Sequence, residues 1–213
     1  MWSCGALLFD MDGVIVDSEP LWFDVEREFL RARGCEWTPE LARDCTGRGL
    51  VHAVEAMYAA FDFPYRLEED MRSIVDAFAS RVDELRLKDG VASLLEVTAR
   101  AAVPRAVASS SMRRLIDAIL HRFVLREHFD AVVSGDSHAR PKPAPDIFLE
   151  AARQLRVAPE QCVVLEDSLA GVQAARAAKM RVIAIPERER ERFVGMADAV
   201  VSDLTEARSL LAV

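Results

Sequence analysis

Three groups of polar residues each stand at the end of a short apolar run. Asp10-Met11-Asp12-Gly13 follows Ala6–Phe9, Ser109-Ser110-Ser111 closes Arg105–Ser109, and Glu166-Asp167-Ser168 follows Cys162–Leu165. Four carboxylates brought to one rim repel one another by on the order of several kcal/mol unless a cation sits among them. All-oxygen ligation of this kind suits Mg²⁺, which keeps several waters and takes a phosphate oxygen of a substrate. A fixed positive charge is offered by Arg140-Pro141-Lys142-Pro143-Ala144-Pro145-Asp146, where prolines on both sides of Lys142 set the local φ angles and stiffen its mount. That arrangement is useful for neutralising charge on a nucleophile and a phosphoryl group.

Taken singly, each group has a plainer reading. Asp-x-Asp-Gly also makes a turn. The serines also cap a helix starting near Met112, Glu166-Asp167-Ser168 also caps the helix after it, and Lys142 also suits an exposed turn before a helix beginning near Pro145. It is their coincidence that points to a site, and the coincidence depends on the elements that carry them. Apolar runs at Ala6–Phe9, Arg105–Ser109, Ala131–Ser134, Cys162–Leu165, Arg181–Ile185 and Ala199–Val201 alternate with helical patterns at Val91–Ala102, Met112–Phe123, Pro145–Leu155 and Ser168–Ala178. Strands without strict polar alternation, separated by single helices, indicate a doubly wound α/β fold with a parallel sheet covered on both faces. Ligands of such sheets bind beyond the carboxyl ends of the strands, where the topology reverses. All three polar groups sit at such ends.

From about Asp17 to Arg86 the pattern is helical only, with Trp22, Phe23, Val25, Phe29 and Leu30, and later Ile74, Val75, Phe78 and Val82, at helical spacing. This reads as a helical insert directly after the first strand.

The composition excludes other classes. Of 213 residues 51% are hydrophobic, ample for a buried core, and 27 Lys and Arg against 35 Asp and Glu leave a net charge of −8, which opposes electrostatic binding of nucleic acid. No apolar run approaches the ~20 residues of a membrane span. The start has no basic segment before its apolar run, so the protein is expected to be cytoplasmic. Cys4, Cys35, Cys45 and Cys162 form no metal-binding spacing and read as reduced thiols. His52, His121, His128 and His138 fall in no motif, and Glu187–Arg192 reads as a solvated face.

With these residues on the page, the chain resembles the haloacid dehalogenase superfamily. Asp10-x-Asp12-Gly13-Val14-Ile15-x-Asp17-Ser18, Ser109, Lys142 and Glu166-Asp167 match its four motifs in order. Lys142–Phe148 and Glu166–Gly171 are similar to the β-phosphoglucomutase-like branch, which has a helical cap where this chain has its helical interval. The resemblance implies a Rossmann-like α/β core over residues 1–16 and 87–213 and an α-helical cap over residues 17–86.

It also implies roles. Asp10 would be the nucleophile that forms an aspartyl phosphate, and Asp12 the general acid and then base. Mg²⁺ would be held by Asp10, the Asp12 backbone carbonyl and Asp167, with Glu166 as an additional ligand. Ser109 and the Ser110 backbone N–H would bind phosphoryl oxygens, and Lys142 would pair with Asp10 and the transferring group. Cys45-Thr46-Gly47-Arg48-Gly49 corresponds to the cap segment that closes over the site. Arg48 is either a substrate ligand or a solvated turn residue, and Glu19 and Arg113 are further substrate-binding candidates. Trp22 is expected in the core of the cap ahead of any ligand role.

Mutases of the branch carry His where Trp22 stands and Lys-Asn where Met112-Arg113 stands. Asp17-Ser18-Glu19-Pro20 is closer to the sugar-phosphate phosphatases. A Mg²⁺-dependent phosphatase of a small phosphorylated metabolite, a sugar phosphate first, acting through an aspartyl phosphate, is therefore expected, with a β-phosphoglucomutase-like hexose-phosphate mutase as the alternative. Dehalogenases lack a second carboxylate like Asp12. A non-catalytic phospho-acceptor domain would place its Asp after the third strand. Neither nucleic acid nor membrane is expected as a partner, and a monomer is expected, with a dimer as the alternative.

Overall fold

The computed structural model describes residues 1–43, 45, 49–137 and 140–212. Strand β1 (Ala6–Phe9) is buried at every position, which is why its sequence shows no polar alternation. A turn at Gly13, with φ of 76°, leads to the short strand β2 (Val16–Asp17). The insert follows as α1 (Glu19–Arg31), α2 (Pro39–Arg43), α3 (Leu50–Ala60) and α4 (Leu67–Ala79). Strand β3 (Arg86–Leu87) then pairs antiparallel with β2, Val16 opposite Leu87 and Asp17 opposite Arg86. Both ends of the insert thus lie side by side at a two-residue ribbon. Patterning does not announce strands that short.

The remaining elements alternate up to β7, which is joined to β8 by a 3-10 turn at Arg190–Phe193 and no α-helix: α5 (Val91–Arg100), β4 (Arg105–Ser109), α6 (Arg113–Arg122), β5 (Ala131–Ser134), α7 (Asp146–Leu155), β6 (Cys162–Glu166), α8 (Leu169–Ala177), β7 (Arg181–Ala184), β8 (Ala199–Val200) and α9 (Leu204–Leu210). Six parallel strands form one sheet in the order β5-β4-β1-β6-β7-β8. The chain leaves β1 toward β4 and β5 and crosses back to β6 on its other side, so the topology reverses at β1. The carboxyl end of β1 is therefore where a ligand is expected.

Alternate residues of each strand face two apolar layers. Ala6, Leu8, Ala106, Ala108, Val164 and Val182 pack with Phe148 and Ala152 of α7 and Val172 and Ala175 of α8. Leu7, Phe9, Val107, Val163 and Ile183 face the layer that includes Leu94, Ile116 and Leu204 and runs on into the insert. The small side chains of the first layer let α7 and α8 approach the sheet closely. Among the described residues no helix is long and apolar enough to cross a membrane. Burial pushes the thiols of Cys4 and Cys162 up to about 11 and about 12, as inert packing groups require.

Within the insert, α1 and α3 pack on α4. Arg33 lies 3.6 Å over the Phe29 ring and reaches Asp70 Oδ1 at 2.7 Å, while Tyr58 Oη donates to Asp70 Oδ2 at 2.6 Å. Glu26 is buried on α1, with Trp37 Nε1 donating to its Oε2 at 2.8 Å. Burial pushes this carboxyl up to about 7, the indole opposing. A folded-state value above the usual 4.5 means that the folded chain binds the extra proton between the two values. Stability from this group is then full below pH 4.5 and is lost as pH rises through 7, by about 3 kcal/mol at 1.36 kcal/mol per unit. Glu26→Gln keeps an acceptor for Trp37 and removes the ionisation. Chemical melts of the variant minus wild type should favour the variant increasingly from pH 5 to pH 8.

Candidate active site

Asp10 continues β1, its N–H donating to Leu165 O of β6 at 3.0 Å. Its side chain is 8% exposed and meets Lys142, whose Nζ lies 2.7 Å from Asp10 Oδ1 and 2.6 Å from Glu166 Oε1. Nζ also lies 3.3 Å from Ala108 O and 4.9 Å from the centre of the Phe148 ring. Burial alone would push Lys142 down, but Asp10 and Glu166 together raise it, so the ammonium stays charged. The proline-flanked lysine is thus a buried, fully bonded cation at the reversal point of the sheet, not a solvated turn residue.

Asp167 stands beside this pair. Asp10, Glu166 and Asp167 each offer an oxygen within 4.8 Å of the others. Burial raises the carboxyls of Asp10 and Asp167, and the neighbouring carboxylates push the same way against Lys142. Three acid groups facing one ammonium lack positive charge, and a hard, oxygen-preferring cation is what this donor set fits.

Two glycines make room for it. A Cβ at Gly13 would sit 1.9 Å from Asp167 Oδ2, and one at Gly171 would sit 1.7 Å from Glu166 Oε1. In an ordinary helix Gly→Ala is stabilising by roughly 0.5–1 kcal/mol. At Gly171 the clash wins. Gly171→Ala should lower stability by about 1–3 kcal/mol, an overpacking cost, and should reduce turnover because Glu166 must leave Lys142. A raised melting temperature with full activity would contradict this geometry.

Glu166 has both oxygens engaged. Besides Lys142 at Oε1, its Oε2 accepts from Ser168 N at 2.9 Å and Ser168 Oγ at 3.0 Å. Ser168 also caps α8 by accepting from Gly171 N at 3.0 Å. This carboxylate therefore orients Lys142 while remaining within reach of the acidic cluster.

Asp12 is surrounded by donors. Ser18 Oγ and Trp22 Nε1 reach Oδ1 at 2.6 and 3.1 Å, and Ser111 Oγ and Ser109 Oγ reach Oδ2 at 2.7 and 3.4 Å. Ser109 also accepts from Ser111 N at 3.1 Å. Ser18, the N-cap of α1, makes no side-chain cap bond because its hydroxyl is turned to Asp12. In the sequence Ser18 stands only within the first motif and Ser111 only as a possible helix cap, and their bonds to Asp12 are visible only in three dimensions.

A family model for haloacid dehalogenase-like hydrolases matches residues 7–185. The chain belongs to the haloacid dehalogenase-like hydrolase family. Hexitol phosphatase B of Escherichia coli (strain K12) is 37% identical over 97% of this chain and 96% of its own length. A bifunctional riboflavin kinase/FMN phosphatase of Arabidopsis thaliana is 31% identical over 97% of this chain, which spans 54% of that protein. The crystal structure of CbbY from Rhodobacter sphaeroides in complex with phosphate superposes with a TM-score of 0.86 at 32% identity, covering 95% of this chain and 96% of that one.

Within this family frame, the other expected site residues fall as follows. Ser110 is half-buried, and its carbonyl lies so close to Gly135 that a Cβ there would approach it to 2.3 Å. Glu19 is half-buried at the start of α1, and burial raises its carboxyl, with Glu187 adding to the effect and Arg188 and Lys88 opposing it. Its charge is felt at Asp167, so it stands at the edge of the acidic cluster. Arg113 is not brought to the cluster: its Nε bonds both oxygens of Asp117 at 2.9 Å and Nη1 reaches Val132 O at 3.4 Å. Arg48, with Thr46 and Gly47, lies outside the described residues.

Proposed function

We propose that this chain is a Mg²⁺-dependent phosphatase of a small phosphorylated metabolite, a sugar phosphate first among them, acting through an aspartyl phosphate on Asp10. The observation that carries this reading is the pairing of Asp10 with Lys142 beside a separately held Asp12 at the reversal point of the sheet. Residues 17–86 are read as a cap on a core formed by residues 1–16 and 87–213, hinged at the β2–β3 ribbon. The likeness to a hexitol phosphatase along nearly the whole of both chains supports the substrate class.

Asp10 attacks phosphorus, forming the O–P bond of the aspartyl phosphate as the ester P–O bond breaks. The leaving oxygen takes its electron pair and a proton from Asp12. Asp12, now a carboxylate, removes a proton from water as the water oxygen bonds phosphorus and the aspartyl O–P bond breaks, which releases phosphate, frees the Asp10 carboxylate and leaves Asp12 protonated. Lys142 neutralises the Asp10 carboxylate and the transferring oxygens, and Ser109 and the Ser110 N–H orient them. Asp10, Asp167 and the Asp12 carbonyl would hold Mg²⁺, with Glu166 adjoining; the ion would supply charge neutralisation for the phosphoryl oxygens.

The test is phosphate release across a panel of sugar phosphates, β-glucose 1-phosphate included, with and without Mg²⁺, with the ester followed by ³¹P NMR. Metal-dependent release of inorganic phosphate supports the reading, and transfer to another hydroxyl with little free phosphate would make the chain a mutase. Asp12→Asn should slow alkyl phosphates by about 10²-fold or more and an activated aryl phosphate much less, because only the poor leaving group needs the proton. Equal losses on both would remove the acid role.

A further inference from the structure

The four donors on Asp12 form two chemically different pairs. Oδ2 faces two hydroxyls, Ser109 and Ser111, and a hydroxyl can turn to donate or to accept. Oδ1 faces Ser18 and Trp22, and an indole N–H can only donate. Oδ1 is therefore the oxygen that stays an acceptor, while Oδ2 lies on the side of Ser109, where the phosphoryl group is expected. A carboxylate torsion is broad and nearly two-fold by itself, so something must hold this one in place.

Trp22 is built to do so. Its backbone N–H donates to Ser18 O at 2.9 Å one turn into α1, so both Oδ1 donors are set by the same helical turn. Its ring stacks on Phe78 of α4 with centroids 4.0 Å apart and planes at 25°, and Phe78 is fully buried. A ring clamped in this way keeps its N–H in one direction at little entropic cost.

We propose that Trp22 is a positioning residue for the phosphatase reaction, pinning Oδ1 of Asp12 so that Oδ2 is the oxygen presented to the leaving group. The aim of the acid/base is thereby tied to the packing of α1 on α4. The proposal rests on the reading of Asp12 as the acid/base. It assigns Trp22 no contact with substrate, so the loss belongs in kcat and not in KM.

Steady-state kinetics on Trp22→Phe, which keeps the stack and loses the N–H, test it against both an alkyl sugar phosphate and an activated aryl phosphate. Expected is a 10- to 100-fold fall in kcat on the alkyl ester, KM within about threefold, and a loss on the aryl ester smaller by about tenfold. Trp22→His, which returns a ring N–H, should recover part of the alkyl rate. Trp22→Leu gives the same split should the Phe variant melt early. An unchanged kcat, equal losses on both esters, or a loss carried by KM would overturn the proposal. Asp12→Asn measured alongside separates the two failures. A split there without one at Trp22 sinks the positioning role alone, and no split at Asp12 sinks the acid/base reading beneath it.

Discussion

Asp10→Asn is expected to lower turnover by on the order of 10⁴-fold or more while leaving the fold intact. The amide cannot form the aspartyl phosphate, and Glu166 beside it is tied down by Lys142 and Ser168. The fold survives because Lys142 keeps its 2.6 Å bond to Glu166 and because burial already disfavours the charge on Asp10. Phosphate release and a thermal melt on the same preparation check both halves. Activity within tenfold of wild type would remove Asp10 from the nucleophile's role.

Lys142→Met should carry the largest stability loss of any single change at this site. The Lys142 side chain is 2% exposed and its ammonium is bonded to both Asp10 and Glu166, so its removal leaves two buried carboxylates facing each other. Removing one partner of a buried ion pair costs about 3–5 kcal/mol, which for a chain of this size is a melting-temperature drop of roughly 10 °C. Turnover should fall below detection as well, since nothing then neutralises the transferring oxygens. Glu166→Gln is the comparison. It leaves Lys142 bonded to Asp10 and an amide oxygen for Ser168, so its melting temperature should fall by much less. Equal drops in the two variants would show that the cost comes from packing and not from uncompensated charge.

The contrast between those variants shows where sequence reading reaches its end. A lysine between prolines is visible as a stiff mount, but its two partners lie 132 and 24 residues away along the chain and meet it only because β1 and β6 are neighbours. Glu166 illustrates the same limit. Its position after an apolar run marks it as a site residue, yet its commitment to Lys142 and Ser168 depends on a close approach to Gly171 that no spacing reveals. Arg113, two residues past Ser111, bonds Asp117 of its own helix α6, a side-chain choice that sequence spacing does not reveal. Trp22 fits its expected place in the apolar packing of the insert, and also carries a bond to Asp12 that periodicity could not predict.

The alternation of strands with the helices that cover them, and so the α/β class of the fold, follows from the amino-acid sequence. Apolar runs of strand and helix length and polar residues at their ends are local properties, and the parallel order leaves few ways to arrange them. The tertiary structure decided which oxygen of each carboxylate meets which donor, that Ser18 and Ser111 serve Asp12 instead of capping helices, and that the insert begins and ends on one ribbon. Those outcomes turn on contacts of ångström scale between segments up to 132 residues apart, and such contacts are settled by packing and not by local pattern.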